Sequence, residues 1–279
     1  EEQSMSGDKN ITSKKKISIG KAEITKLALA LVFIAMVFIP LIRMFSFMDG
    51  ESIKSVVSSP NFGEAVLHSV VSAFLGTIIT VFLAFVLALC IERTKIPFKG
   101  LFGIIFVLPM LIPSISHGMG LVILLGNNGL LTSLLGLKQS IYGLGGIVLG
   151  SILYAFPVAY LMLSDVIRYE DGSAYEAARV LGIPKFRQFT AIMLPFLKKP
   201  LISVVFAVFT LIITDYGVPI MVGGKYKTIA TVMYQEVIGQ LDFGKGAVYG
   251  SLLLIPAVVA FVIDLLNKDG GKSGYVTKT

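Results

Sequence analysis

The stretch AVLHSVVSAFLGTIITVFLAFVLALCI, residues 65–91, decides the fold. It contains no charged side chain, and as a helix it is long enough to cross a hydrocarbon core of about 30 Å, which takes about 20 residues. Five further runs of comparable length and apolarity lie at residues 24–45, 98–126, 141–167, 196–222 and 247–267. The sequence therefore predicts six membrane-spanning segments within residues 24–267.

The spans are predicted to be helices. Hydrocarbon offers no water to satisfy backbone amides, so a span is either a helix or a strand of a closed barrel, and these runs lack the period-two alternation of barrel strands. We expect an all-α bundle of six transmembrane helices, a multi-pass membrane protein in contact with lipid. A hydrophobic share of 55%, a charged share of 15% and a mean hydropathy of +0.84 agree. The charged residues that give the net charge of +7 lie between the apolar runs, and this distribution does not favour nucleic acid as a partner.

The distribution of basic residues predicts the orientation. With the N-terminus inside, 18 of the 24 lysines and arginines fall on the cytoplasmic side, as the positive-inside rule expects. Both termini are therefore predicted to be cytoplasmic. Residues 1–23 form a polar tail, residues 24–267 the membrane domain with a cytoplasmic loop at 168–195, and residues 268–279 a polar tail or linker.

The predicted loop contains EAARVLGIPKFRQFTAIMLP, residues 176–195, which is unusually polar for this chain. Gly182 and Pro184 favour a joint between two short helices, because proline is tolerated in the first turn of a new helix. An apolar stripe follows, and we expect Pro195 to end the second helix. Small exposed alanines permit close approach of another backbone, so the pair suits docking to a partner. The stripe residues are Phe186, Phe189 and Ile192.

This loop resembles, without a gap, the EAA signature of the permease subunits of binding-protein-dependent ABC importers. The family is that of type I importer permeases, in which the loop is a coupling helix inserted into the ATPase subunit. The resemblance implies a set of coupling residues with distinct roles: the first three contact the ATPase, the glycine forms the turn, and the rest close the loop. These are Glu176, Ala177, Ala178, Gly182, Ile192, Leu194 and Pro195.

The resemblance extends over most of the chain and bears on the solute. Residues 108–136 are similar to permeases that import ferric iron, sulfate, polyamines and phosphonates. Residues 209–266 are similar to 2-aminoethylphosphonate permeases, so we expect phosphonate import, with ferric iron as the first alternative and sulfate or polyamine as others. The polar end, residues 267–279, resembles the connector after the first half of a fused permease. The chain is thus expected to be such a half or a single half.

Two broken spans supply candidates for the translocation path, since polar groups and freed carbonyls in a bilayer usually face a cavity or another helix. For the first of these spans the alternative is a kinked packing helix. For the second it is a break near the outer interface, where Asp215 only caps a short segment. We expect Asp215 to order its break rather than to bind solute. Gly146 and Gly150 are read as a close-packing pair. The path candidates are Pro109, Pro113, Ser114, Ser116, His117, Asp215, Tyr216, Gly217 and Pro219.

No catalytic motif was found in the chain, and a P-loop is excluded because Leu266 stands where its first glycine is needed. We expect a non-enzymatic subunit that binds no cofactor or metal, with ATP and Mg²⁺ on a partner ATPase. The other expected partners are a second permease half, identical or related, and an extracytoplasmic solute-binding protein. The alternative of another class is an ion-coupled carrier or channel using Asp215 or His117, although no inverted repeat supports it.

Overall fold

The computed structural model describes residues 21–136 and 141–269, and every regular element in these two ranges is helical. One 3₁₀ helix, Leu108–Leu111, and two π-helical segments, Phe189–Met193 and Gln235–Gly239, interrupt the α-helices. The α-helices are α1 (Lys21–Ser46), α2 (Gly50–Val57), α3 (Phe62–Arg93), α4 (Lys99–Val107), α5 (Ser114–Leu125), α6 (Leu130–Leu135), α7 (Leu144–Arg168), α8 (Ser173–Val180), α9 (Lys185–Gln188), α10 (Leu194–Ile213), α11 (Gly217–Val222), α12 (Ile229–Tyr234) and α13 (Phe243–Asp269).

Six helical stretches are long and apolar enough to cross a membrane, which confirms the predicted all-α fold and number of spans. The chain divides into two compact units, residues 1–46 with α1 and residues 47–279 with the remaining helices. The six stretches are Glu23–Ser46, Phe62–Arg93, Ser114–Leu135, Leu144–Arg168, Lys185–Ile213 and Phe243–Asn267.

The main core of the second unit lies where α3, α7 and α10 meet. Small side chains dominate the contact between α3 and α7, and they are completely buried. Such residues let helices approach closely, which is how membrane helices gain packing energy without a hydrophobic driving force between them. The fully buried alanines are Ala73, Ala84 and Ala88 of α3 and Ala155 and Ala159 of α7.

A second cluster joins α2, α12 and α13 to the beginning of α3. The buried Ser69 hydroxyl accepts a hydrogen bond from the Ile229 amide at 2.7 Å and donates one to the Ala65 carbonyl at 2.8 Å. A capping box between Thr228 and Thr231 satisfies the other amides at the start of α12. These bonds fix the short helix α12 against α3.

The predicted third span, residues 98–126, is not one continuous helix. The chain forms α4, a 3₁₀ turn and α5, with breaks at the prolines that were expected to kink it. Pro109 and Pro113 lack amide donors and the breaks fall at them, although α1, α7, α10 and α13 each continue past an internal proline. The apolar helical stretch therefore runs from Ser114 through α6 to Leu135.

The predicted fifth span, residues 196–222, begins earlier and ends earlier. The helical stretch starts at Lys185, and it ends at Ile213. The break expected around Tyr216 and Gly217 is confirmed, because α11 is a separate short helix that begins at Gly217.

The polar tails fall mostly outside the described residues. The predicted tail at residues 1–23 overlaps the structure only at its end, where α1 already begins at Lys21. Of the tail or linker at residues 268–279, only positions 268 and 269 are described, as the last turn of α13. The remainder of each segment lies outside the described residues.

Candidate functional site

Helix α8 is built by a local cap. Its first residue, Ser173, donates its amide hydrogen to Asp171 Oδ1 at 2.9 Å and its hydroxyl hydrogen to Asp171 Oδ2 at 2.7 Å. Glu176 lies exposed in the first turn, where a carboxylate interacts favourably with the positive end of the helix dipole. The helix is only eight residues long, and the two Asp171 bonds to its first residue order its start.

The joint between α8 and α9 forms at the predicted residues. Gly182 has a φ of +69°, in the left-handed region, and its amide donates to the Arg179 carbonyl at 3.1 Å. Pro184 directly precedes α9, where its missing amide hydrogen costs no helical bond. The buried Gln188 side chain donates to the Ile183 carbonyl at 2.6 Å and closes the joint. The predicted pair of helices with a glycine turn is thus present.

The pair of helices α8 and α9 exposes several large apolar side chains. Val180 is 88% exposed, Leu181 75% and Phe186 79%. Exposed large apolar side chains that cluster on one loop indicate an interaction site. We call the exposed set on this loop, Glu176, Ala177, Val180, Leu181 and Phe186, the docking surface.

Two predictions about the loop need correction. Ala178 is only 4% exposed, so its side chain is not available to a partner as Glu176 and Ala177 are. The expected apolar stripe also splits: Phe186 points outward, whereas Phe189 packs on Phe85 with ring centroids 6.3 Å apart. A stripe at spacing three drifts around an α-helix, which has 3.6 residues per turn.

Pro195 does not end the second helix, contrary to the prediction. Helix α9 continues through the π-helical segment 189–193 into α10, so Leu194 and Pro195 lie inside a long helix. The Leu194 amide donates to the Phe189 carbonyl five residues back. This wider turn lies immediately before the proline, and π-helical turns of this kind occur frequently at functional sites. Ile192 is part of the same turn.

The second candidate region is the junction of α5 and α11, where the two broken spans meet. Asp215 is 9% exposed, and its carboxylate accepts hydrogen bonds from the amides of Gly217 at 3.2 Å and Val218 at 3.0 Å. The Ser114 hydroxyl at the start of α5 interacts with the same carboxylate. Asp215 therefore binds the first two amides of α11 and ties that helix to α5.

Glycines allow the close approach at this junction. A Cβ atom on Gly217 would lie 2.6 Å from the Ile115 amide nitrogen, and one on Gly118 would lie 2.7 Å from Met221 Cβ. Gly150 of α7 faces Val218, and Gly146 faces Val222. The predicted packing role of this glycine pair is confirmed, with α11 of the same chain as its neighbour.

His117 lies beside this junction. Its Nδ1 is 3.2 Å from the Pro113 carbonyl, an acceptor, and its ring centroid is 6.3 Å from that of Tyr154. Its Nε2 is buried without a hydrogen-bond partner among the described residues. With a proton on Nδ1, the ring donates to the Pro113 carbonyl.

The remaining path candidates lie apart from this cluster. Pro219 is buried within α11, while Tyr216 is 42% exposed and stacks on Tyr234 of α12 at 4.9 Å between ring centroids. Ser116 is exposed on α5, and Pro109 lies in the 3₁₀ turn before it. The structure thus brings together Ser114, His117, Asp215 and Gly217.

Sequence reasoning missed the ion pairs behind the docking surface. Glu92 and Glu170 have side chains that are 4% and 3% exposed and that pair with arginines and a lysine. Acidic residues at the ends of apolar runs, flanked by basic ones, were the available signal. Among the described residues, no group of three His, Cys, Asp or Glu side chains could hold a metal ion.

The fold and the loop define a class of protein. Residues 81–268 match the family described as binding-protein-dependent transport system inner membrane component. The match covers well over half of the chain, and the chain belongs to this family. It is therefore a multi-pass membrane protein related to the permease subunits of ABC importers.

Individual relatives are named for ferric transport. The chain is 30% identical to the ferric transport system permease protein FbpB of Actinobacillus pleuropneumoniae over 264 residues, which is 88% of this chain and 38% of that protein. It is 31% identical to a ferric transport permease, FbpB 1, of Haemophilus influenzae, over 74% of this chain and 33% of that protein. The chain thus spans about a third of the length of these relatives.

Solved structures show the same fold. A bacterial alginate ABC transporter in complex with its periplasmic protein contains a chain that matches with a TM-score of 0.68 and 18% identity, covering 92% of this chain and 95% of that one. The MetNI methionine ABC transporter matches with a TM-score of 0.55 and 16% identity, over 80% of this chain and 97% of that one.

Proposed function

We propose that this chain is the membrane permease half of an ATP-driven, binding-protein-dependent importer. The docking surface carries this proposal, because a short capped helix with Val180, Leu181 and Phe186 exposed beside Glu176 offers a partner both apolar contact and charge. The partner we propose is an ABC ATPase subunit. A second permease half, identical or related, and an extracytoplasmic binding protein complete the assembly.

The proposed orientation places both termini in the cytoplasm, together with the docking surface. It rests on the excess of lysine and arginine on that side. ATP and Mg²⁺ then bind to the ATPase and not to this chain, and the chain itself catalyses no reaction. Closure of the ATPase dimer on α8 and α9 is transmitted to the spans and switches the bundle from inward-facing to outward-facing.

The junction of α5 and α11 is the proposed path or gate. Its two half-helices begin at Ser114 and Gly217, and discontinuous helices of this kind form the substrate sites of many transporters. Asp215 is occupied by the amides it caps, so we assign it to the shape of the break. Ser116 and Tyr216, which are exposed, remain candidates for contact with solute or with the second half.

Ferric iron is the solute that the named relatives support, since two of them are ferric transport permeases. 2-Aminoethylphosphonate, favoured by the sequence of residues 209–266, is the second candidate. Sulfate and polyamines follow. A carrier or channel driven by ions would leave the docking surface without a role, and the family membership supports the importer instead.

The experiment that tests this proposal measures ATPase activity of the complex that co-purifies with this chain, reconstituted in lipid with its binding protein. Ferric iron, 2-aminoethylphosphonate and sulfate are offered in turn. We expect stimulation by one of them, and its loss in Glu176→Arg but not in Glu23→Arg, a charge reversal on α1. Stimulation by phosphonate alone would overturn ferric iron while keeping the importer; a preparation without an ATPase, importing on an ion gradient, would overturn the importer.

A further inference from the structure

Two adjacent residues at the end of α3 bind two different segments of the chain. Glu92 accepts hydrogen bonds from Ser164 Oγ at 2.8 Å, Lys99 Nζ at 3.0 Å and an Arg168 guanidinium nitrogen at 3.0 Å. Ser164 and Arg168 belong to α7, and Lys99 begins α4. The side chain of Glu92 is 4% exposed, and its oxygens are well satisfied. This carboxylate therefore joins the ends of three helices.

The neighbouring Arg93 contacts the loop that carries the docking surface. It forms an ion pair with Glu170, whose side chain is 3% exposed and lies between α7 and α8. Glu170 Oε1 also accepts the hydroxyl hydrogen of Tyr175, a residue of α8, at 2.7 Å. The Arg93 guanidinium carbon lies 4.8 Å from the centre of the Tyr175 ring, which adds a cation–π contact.

The Tyr175 hydroxyl is kept in its donor form. Burial raises the pKa of Tyr175, and the hydrogen bond to Glu170 raises it further, because the neutral phenol is the partner that the carboxylate needs. The contact is consequently present throughout the physiological pH range.

This arrangement gives α8 a route to α3 that the chain itself does not provide. Covalently, α8 is attached to α7 through residues 169–172 and to α9 through the glycine joint at Gly182. Helix α3 packs on both α7 and α10 in the main core. Among the described residues, Arg93, Glu170 and Tyr175 form a direct side-chain connection between α8 and α3.

We propose that Glu92, Arg93, Glu170 and Tyr175 form a clasp that positions α8 and transmits its movement to the ends of α3 and α7. The two carboxylates have different roles: Glu170 holds α8 to α3, and Glu92 holds α3 to α7 and α4. Both carboxylates are nearly buried, so removing a partner leaves a charge without compensation and should weaken the hold on α8. The role of the clasp in transport rests on the proposed function, whereas its role in holding α8 does not.

The first test is proteolysis in inside-out membrane vesicles that contain the full chain. Trypsin cleaves after Arg179, which is exposed at the end of α8, and mass spectrometry follows that site. We expect Arg93→Ala and Tyr175→Phe to accelerate cleavage, by about tenfold for Arg93→Ala, since opening of a segment sets its proteolysis rate and a lost charged hydrogen bond is of this size. Asp165→Asn, which removes an exposed carboxylate at the end of α7, is the matched control and should change nothing. Equal rates in all four proteins would overturn the clasp.

The second test separates transmission from mere stability. In the reconstituted complex with ferric iron, or with whichever solute stimulates the wild-type protein, the ATP hydrolysed per solute imported is measured. A destabilised protein loses hydrolysis and import together, so its ratio stays constant. We expect Tyr175→Phe and Arg93→Ala to keep the ATPase bound but to raise this ratio by severalfold. An unchanged ratio would overturn the transmission, and a wild-type preparation without an ATPase would overturn the proposed function while leaving the proteolysis result to decide the clasp.

Discussion

The α8–α9 joint and the α5–α11 junction are both marked by glycine and proline, yet the two regions use them for opposite reasons. Gly182 has a left-handed backbone with open space around its Cα, so glycine is needed there for conformation. Gly217 lies where a side chain would strike the backbone of Ile115, so glycine is needed there for space. The comparison teaches that one residue type marks an exposed joint in a polar loop and a packed contact in an apolar span.

The largest effect is expected where space is the constraint. Gly217→Ala should destabilise the protein by about 3 kcal/mol, at the upper end for overpacking, because backbone atoms of Ile115 cannot move aside cheaply. The measurement is the thermal unfolding midpoint in detergent. Gly120→Ala in α5, where nothing lies within 4 Å of the added carbon, is the control and should be neutral or stabilising by up to about 1 kcal/mol. Equal midpoints for the two variants would break the comparison.

A smaller effect is expected from the cap at the same junction. Asp215→Ala should cost about 1–2 kcal/mol, because the amides of Gly217 and Val218 lose their acceptor in a buried place. Asp215→Asn retains one acceptor oxygen and should cost less. The same thermal assay orders the three proteins, and an Asn variant no more stable than the Ala variant would contradict the role of the acceptor oxygen as a cap.

The exposed joint should respond locally. Gly182→Ala should weaken α8 by about 1 kcal/mol, since a left-handed conformation is unfavourable for alanine. Hydrogen exchange measured by mass spectrometry should show about fivefold lower protection in the peptide containing Glu176–Val180 and no change in α11. Gly182→Asn is the sharper control, because asparagine tolerates this conformation better. Loss of protection in α11 as well would contradict a local role.

The smallest effect on stability is expected on the docking surface. Val180→Ser should change unfolding by less than about 0.5 kcal/mol, since the side chain is 88% exposed. Co-purification of the ATPase should nevertheless fall. Val148→Ser, at a buried position of α7 (9% exposed), is the contrasting variant and should lower stability instead. A destabilised Val180→Ser protein that still retained its ATPase would place the docking surface elsewhere.

Much of the fold could be predicted from the sequence because span length is a local property. Six apolar runs correspond to six spans, and the breaks fell at Pro113 and Gly217, within the stretches where they were expected. The prediction that the second helix of the loop ends at Pro195 was wrong. A rule based on proline alone does not predict the π-helical turn through which the helix continues past Pro195. Local sequence rules describe regular helical turns, and they do not predict where a wider π-helical turn accommodates a proline.

The contacts of the candidate sites could not be predicted, because they depend on distant residues. Gly118 and Gly120 are two positions apart in one helix, yet only the first faces Met221. Ala177 and Ala178 are identical in type, and only the packing around α8 decides that the second is buried. The pairing of Arg93 with Glu170 joins residues 77 positions apart. A sequence pattern does not show which residues so far apart come into contact.

The most direct test of the central claim is cross-linking from α8. With Cys90 replaced by serine, Ala177→Cys and Ala178→Cys are compared in membranes that contain the complete transporter, using a maleimide-benzophenone photo-cross-linker, which needs no thiol on the ATPase. The exposed position 177 is predicted to cross-link to the ATPase subunit, and the buried position 178 to do so far less. No ATPase adduct from either cysteine, in membranes shown to contain the ATPase, would contradict the assignment of α8 as the coupling element.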